Sequence, residues 1–356
     1  MPSPIRVLVI DDSAMVCDIL SKGLREDPSL EVVGTAADPY EAREKIVELR
    51  PQVLTLDVQM PRMNGVEFLR KLMPQYPLPV VMVSALTERG GQIALDALEA
   101  GAIDYVTKPK ADSPGGLQEM LQELRTKIKI AASANVSHWK HREDTTPSRR
   151  LAQAKTLAGM ERYTHRIKVM AFGASTGGTE ALREVLEGFP RGVPGIAIVQ
   201  HMPPGFTQLF AARLNSLCAL EVKEALNDDL VLPGRALVAP GAMQMRVVRS
   251  GNLFKVQVRP DQPVNGHCPS VDVLMRSVAQ AAGAAAIGVV LTGMGRDGAE
   301  GLKAMRDAGA HTLAQNEGTC VVFGMPKAAW DLGGAEKLTP LTQIAPAVLR
   351  MLAAKV

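Results

Sequence analysis

A pattern recurs along this chain: a short apolar run closes on a polar residue, and a segment of helical spacing follows. In the first third the runs are Arg6–Ile10, Glu31–Ala36, Val53–Leu56, Val80–Val83 and Ile103–Val106. Ser13–Arg25, Tyr40–Leu49, Gly65–Leu72 and Gln92–Glu99 lie between them with helical periodicity, and a helix near Leu117–Ile130 closes the series. Such alternation with short connections predicts a parallel sheet covered on both faces. The pattern resumes in the second half. Lys168–Phe172, Gly195–Gln200, Ala236–Ala239, Leu253–Val258, Ala285–Leu291 and Thr312–Gln315 read as strands. Thr179–Phe189, Thr207–Ser216, Ser270–Gly283, Gly298–Ala308 and Leu341–Ala354 read as helices. The turn signal Ser250-Gly251-Asn252 predicts a local hairpin between Gln244–Val248 and Leu253–Val258.

Two α/β domains are therefore expected, at residues 4–125 and 167–356, which suits a chain of 356 residues. The intervening stretch 126–166 reads as a linker. Its basic residues His138, Lys140, His141, Arg142, Arg149 and Arg150 are mixed with Glu143, Asp144 and Pro147, and only Trp139 interrupts them as an aromatic. That is the composition of a solvated face more than of a nucleic-acid contact. A short helix is expected at Leu151–Arg162. A net charge of +3 is too small for this length to imply a nucleic-acid or membrane partner. The apolar stretch Ala281–Leu291 is too short to span a bilayer, and no signal peptide is expected. Cys17, Cys218, Cys268 and Cys320 lie far apart without metal-like spacing, which predicts free thiols in a reducing cytoplasm.

The polar residues of the first domain sit where such a fold places its chemistry. Asp11, Asp12, Asp57, Ser84 and Lys108 all follow predicted strands, at the carboxyl ends where open α/β sheets bind ligands. A single aspartate there reads as a helix N-cap, which would explain Asp12 alone. It does not explain three aspartates, a hydroxyl and a lysine together. Clustered carboxylates repel one another unless a cation joins them, and a hard ion such as Mg²⁺ meets that need. With these residues in place, the segment resembles a response-regulator receiver domain, which implies a flavodoxin-like doubly wound fold. The resemblance makes Asp11 and Asp12 the acidic pair, Asp57 the phospho-acceptor, Ser84 the switch hydroxyl and Tyr105 the switch aromatic. Lys108-Pro109 matches a pair commonly joined by a cis bond. Gln59 falls where the family completes its Mg²⁺ site with a backbone carbonyl. The phosphodonor so implied is a histidine kinase.

The second domain turns on Gly173-Ala174-Ser175-Thr176-Gly177-Gly178, a glycine-rich turn between a predicted strand and a predicted helix. That is the setting of a G-x-S-x-G nucleophile elbow, and equally of a phosphate cradle. Two further strand ends decide between them. Ile196–Gln200 leads into His201, and Ile287–Leu291 leads into Thr292-Gly293-Met294-Gly295-Arg296-Asp297-Gly298. Serine needs an adjacent base, and an imidazole needs a carboxylate to orient it. Parallel strands bring Ser175, His201 and Asp297 to one sheet edge. Each has a plainer reading: His201 as a structural histidine before Pro203-Pro204, and Asp297 as a helix cap. His267 is a rival base and Cys268 a rival nucleophile, although Asn265–Pro269 reads as a loop entering a helix. Gly293-x-Gly295-x-x-Gly298 also matches a dinucleotide fingerprint, but that motif wants an acidic residue closing the next strand. Thr312–Gln315 closes on glutamine, with Glu317 only in the turn beyond.

Gly173–Gly178 with Thr179-Glu180-Ala181, Gln200-His201-Met202-Pro203, Ala239-Pro240-Gly241 and Leu291–Gly298 follow one family's pattern. Residues 168–350 resemble the catalytic domain of chemotaxis protein-glutamate methylesterases. The resemblance implies a cytoplasmic, phosphorylation-activated serine hydrolase acting on glutamate methyl esters of chemoreceptor helices, with deamidation of selected glutamines at the same site. Ser175 is the expected nucleophile, His201 the base and Asp297 its orienter, with backbone N–H groups around Thr176 and Met294 for the oxyanion. The resemblance also implies that the unphosphorylated receiver blocks access to the cleft. The other reading is a response regulator with a non-catalytic output that binds nucleic acid or protein. The nearly neutral second domain, lacking a compact basic helical unit, speaks against it.

Overall fold

The computed structural model describes residues 3–85, 88–109, 115–141 and 167–353. The expected helix at Leu151–Arg162 and residues 142–166 of the expected 126–166 linker lie outside those residues, whereas residues 126–141 of that linker belong to the first unit, in a helix ending at Ala132 and the turn Ser137–His141. The chain forms two compact units that part at 143/144.

In the first unit the strands are β1 (Ile5–Ile10), β2 (Leu30–Ala36), β3 (Val53–Asp57), β4 (Val80–Ala85) and β5 (Asp104–Lys108). The helices are α1 (Ala14–Arg25), α2 (Pro39–Leu49), α3 (Gly65–Gln75), α4 (Glu88–Glu99) and α5 (Gly116–Ala132). The strands pair in the order β2-β1-β3-β4-β5, all parallel, which is the flavodoxin-like order. β3 is buried along its whole length, because helices cover both sheet faces. Beyond α5 the unit continues into a short 3₁₀ turn, Ser137–His141. A Cβ on Gly101, at φ +112°, would stand 3.1 Å from the Trp139 ring, so the aromatic of the basic stretch packs on this unit.

The second unit holds seven strands in one sheet: β6 (Val169–Ala174), β7 (Gly195–Gln200), β8 (Glu221–Glu224), β9 (Arg235–Val238), β12 (Ala286–Val290), β13 (His311–Gln315) and β14 (Lys337–Thr339). Their order is β14-β13-β12-β6-β7-β9-β8, and every pairing is parallel. β10 (Gln244–Ser250) and β11 (Leu253–Arg259) form the expected antiparallel hairpin. The helices are α6 (Gly178–Glu187), α7 (Phe206–Leu217), α8 (Val271–Ala282), α9 (Ala299–Asp307), α10 (Met325–Asp331) and α11 (Leu341–Ala353). β6, β7 and β12 are buried throughout, so the three strand ends carrying polar chemistry issue from the best-packed part of the core. The chain passes from β6 to β7 on one side and later returns to β12 on the other. The carboxyl ends of β6 and β12 therefore border a topological switch point, where such sheets open a crevice.

Two strands and one α-helix were not foreseen. β8 reads Glu-Val-Lys-Glu at the sheet edge, with Glu221 exposed and Lys223 and Glu224 half-buried, so it lacks the apolar run of a central strand. β14 has three residues and α10 seven, too few for a period to register. Among the described residues the cis peptide bond lies at Cys268–Pro269, and Lys108–Pro109 is not cis. The four cysteines are free thiols, as expected. No described helix is long and apolar enough to cross a membrane.

Candidate active site

The elbow is built as its residues dictate. β6 ends at Ala174, Ser175 follows, and Gly177 caps α6 at φ +77°, a left-handed conformation that suits glycine. The Ser175 N–H donates to the Thr292 carbonyl at 3.0 Å, and the Gly178 N–H to the Ser175 carbonyl at 2.7 Å. The Ser175 backbone is thus tied both to its own turn and to the loop after β12. Thr292 strengthens the tie: its Oγ1 donates to the Thr176 carbonyl at 3.0 Å and accepts from the Val322 N–H at 3.0 Å. A Cβ on Gly293 would lie 2.7 Å from the Ser175 Cβ, so only glycine lets this loop approach so closely.

His201 stands one strand over, its N–H donating to the Ala174 carbonyl at 3.1 Å. Buried Gln200 joins the two backbones from beneath, its Nε2 reaching the Ser175 carbonyl at 2.9 Å and the His201 carbonyl at 3.2 Å. His201 Nε2 meets Asp297 Oδ2 at 2.8 Å. Its Nδ1 is buried and has no hydrogen-bond partner. With the Nε2 proton committed to the carboxylate, the basic lone pair sits on Nδ1.

Asp297 is 1% exposed and ionised because its surroundings are donors. Ser270 Oγ donates to it at 2.7 Å, the Val271 and Asp272 N–H groups at 2.7 and 3.2 Å, and Asn265 Nδ2 at 3.1 Å. Burial works against the charge, but the His201 interaction and these donors outweigh it and hold the carboxyl well below its usual range. Asp297 is not the helix cap that its place in the glycine turn suggested. The cap of α9 is Gly298, while Asp297 lies at the N-terminus of α8, whose dipole favours an anion. Among the described residues the rival base His267 makes no hydrogen bond to a carboxylate and instead stacks on His201, centroids 3.7 Å apart and planes 10° from parallel. The rival nucleophile Cys268 has its thiol pKa raised, by burial first and by Asp261 second.

Neither the Thr176 nor the Met294 N–H donates to another group among the described residues, and Met294 is exposed at 45%. The dinucleotide reading fails on Gln315. Its buried side chain accepts from the Thr292 N–H at 2.8 Å and donates to the Thr319 carbonyl at 2.7 Å, bracing this same loop.

In the first unit Asp11, Asp12 and Asp57 offer carboxylate oxygens within 4.8 Å of one another. Lys108 Nζ bridges Asp11 Oδ2 and Asp57 Oδ1, both at 2.8 Å, and the Gln59 N–H donates to Asp57 Oδ2 at 3.1 Å. The cap of α1 is Ser13, not Asp12, so capping leaves Asp12 unexplained. Burial raises the Asp57 pKa against the pull of Lys108. Burial also opposes the Lys108 charge, yet the two carboxylates raise its pKa. Two buried acids, one exposed acid and oxygen-only donors suit a hard divalent ion that keeps several waters. Ser84 lies on β4 beside the end of β3, buried at 8%. Tyr105 is buried with Lys127 Nζ 5.1 Å from its ring centre.

A CheB methylesterase family profile matches residues 170–348, and a response regulator receiver domain profile matches residues 7–122. A protein-glutamate methylesterase/protein-glutamine glutaminase from Syntrophotalea carbinolica is 61% identical over 352 residues, covering 99% of both chains. The protein of that name from Pectobacterium atrosepticum is 49% identical, covering 99% of this chain and 98% of that one. The crystal structure of the Thermotoga maritima CheB methylesterase catalytic domain matches with a TM-score of 0.51 at 34% identity, over 52% of this chain and 98% of that domain.

Proposed function

Because the chain belongs to the CheB methylesterase family and is a methylesterase/glutaminase response regulator of chemotaxis adaptation, we propose that Ser175, His201 and Asp297 carry its chemistry. Ser175 Oγ attacks the γ-carbonyl of a methylated glutamate, and His201 Nδ1 takes the hydroxyl proton. Asp297 fixes the Nε2 tautomer and stabilises the imidazolium. The N–H groups of Thr176 and Met294 receive the oxyanion. As the tetrahedral intermediate collapses, the C–O bond to methoxide breaks and His201 returns its proton, releasing methanol. Water then attacks the acyl-enzyme with His201 again as base, freeing Ser175 and a glutamate carboxylate. A glutamine substrate follows the same course with ammonia as leaving group. The observation that carries this reading is the 2.8 Å His201–Asp297 pair beside the elbow, with Nδ1 left unpartnered.

In the receiver, Asp57 accepts a phosphoryl group from a sensor histidine kinase. Asp11, Asp12, Asp57 and the Gln59 carbonyl would hold Mg²⁺, which would supply charge neutralisation when bound, and Lys108 adds its own cation beside Asp57. Ser84 and Tyr105 read out the phosphorylated state. The substrates are the cytoplasmic helices of methyl-accepting chemoreceptors, and the enzyme works in the cytoplasm.

The test is methanol release from methylated receptor membranes, with and without a small phosphodonor and Mg²⁺. Ser175→Ala is expected to lower kcat by roughly 10⁴-fold or more. Near-normal hydrolysis by that variant would end the assignment, and release indifferent to phosphodonor would remove the switch while leaving the esterase.

A further inference from the structure

Asn265 and His267 lie outside the elbow and the strand ends, yet both side chains reach the buried carboxylate–imidazole pair. Val264 and His267 exchange backbone hydrogen bonds at 3.0 and 2.9 Å around Asn265 and Gly266. Those two residues have φ of +54° and +80°, the two-residue turn that Asn-Gly favours. Asn265 Nδ2 pins the turn by donating to Asp272 Oδ2 at 2.7 Å and Asp297 Oδ1 at 3.1 Å. The ring it delivers is that of His267, flat against His201. One tight turn therefore touches the orienting carboxylate through Asn265 and the imidazole through His267.

A hydrogen bond at Nε2 fixes one point of the His201 ring. It does not fix the ring plane, because the outer torsion of histidine is broad. Face-to-face contact does fix it. The ionisable groups around His267 are His201 from the end of β7, Asp297 from the β12–α9 loop and, across Asn265, Asp272 in the first turn of α8. Burial pushes the His267 pKa down to about 4, with His201 adding to the effect and Asp297 opposing it. His267 is thus neutral when His201 becomes an imidazolium, and it can offer that cation a ring face.

The geometry points to His267 as a positioning residue for the general base: its stacked ring holds His201 in the plane where Nε2 meets Asp297 and Nδ1 is left for the nucleophile. This rests on His201 being the base. The experiment compares His267→Ala, His267→Phe and His201→Gln in the full-length chain, using methanol release from methylated receptor membranes. Its readouts are kcat, KM, the pH profile of kcat/KM and the downfield proton resonance of the His201–Asp297 hydrogen bond. His267→Ala is expected to lower kcat roughly 10²-fold, the cost of a misplaced catalytic group, with KM little changed. It also loses the downfield resonance and no longer shows the wild-type pH profile of kcat/KM. His267→Phe keeps a flat ring without a titrating nitrogen and recovers most of the rate and the resonance. A His267→Ala enzyme with wild-type kcat and pH profile overturns the inference, as does a His267→Phe enzyme equally impaired. An active His201→Gln overturns the base assignment and this inference with it. An inactive His201→Gln beside a wild-type-like His267→Ala overturns the inference alone.

Discussion

At the scale of single residues, the site keeps one buried carboxylate charged and one half-buried imidazole neutral within a few ångströms of each other. Asp297 stays ionised because Ser270, Asn265, His201 and the start of α8 all donate to it. His267 stays neutral because burial outweighs the attraction of Asp297. The second fact links proton binding to stability. Its pKa is 6.5 in the absence of the fold and about 4 within it, so between those values the unfolded chain binds a proton that the folded chain refuses. Stability then rises with pH across that window. The His267 contribution is complete above pH 6.5, falls as the pH drops, and is fully lost near 4. His267→Phe removes this slope. The measurement is the urea midpoint of the second unit at several pH values, followed on Trp330 in a Trp139→Phe background. If wild type and His267→Phe lose stability in parallel between pH 6.5 and 4, His267 does not titrate as described.

At the scale of elements, the active centre is held by loops bonded to one another more than by any one helix or strand. The loop after β12 gives its Thr292 carbonyl to Ser175, its Thr292 hydroxyl to Thr176 and its Gly293 backbone to the 322–325 segment. Gly293→Ala would place a methyl 2.7 Å from the Ser175 Cβ, so the elbow or the loop must move. Overpacking of this kind costs about 1–3 kcal/mol, and a displacement near 1 Å costs about 10²-fold in rate. We expect Gly293→Ala to melt a few degrees lower yet remain folded, with kcat down roughly 10²-fold. A variant with wild-type kcat would show that the elbow does not depend on this loop. Sequence pattern located Ser175, His201 and Asp297 because buried parallel strands are continuous apolar runs and their polar ends stand out. It located neither Gln200, which reads as the last residue of such a run, nor the reach of Asn265 and His267. The Asn-Gly pair was a turn signal in plain view. What it could not tell is that the turn lands on His201, some sixty residues earlier in the chain. β8 and β14 escaped for another reason: edge strands need not be apolar, and three or four residues carry no period.

At the scale of the whole molecule, two α/β units each place their polar groups at the carboxyl edge of a parallel sheet, and one chain joins a response-regulator receiver domain to a methylesterase domain. A switch of this kind is a coupling free energy between the two sites, commonly about 1–3 kcal/mol or roughly 5–150-fold. Where the receiver acts by restraint alone, phosphorylation relieves part of that restraint and removing the receiver relieves all of it. The Thermotoga maritima catalytic domain crystallised by itself, so the corresponding fragment here can be expected to fold. Deleting residues 1–150 should therefore raise basal methanol release above that of the unphosphorylated full chain, by a factor within that range. Asp57→Asn in the full chain should abolish the response to phosphodonor without lowering the basal rate. A fragment slower than the unphosphorylated full chain would mean that the receiver activates catalysis and does not restrain it. The ratio of fragment rate to phosphorylated rate then separates a receiver that still restrains the site when phosphorylated, with the fragment faster, from one that adds activation of its own, with the fragment slower.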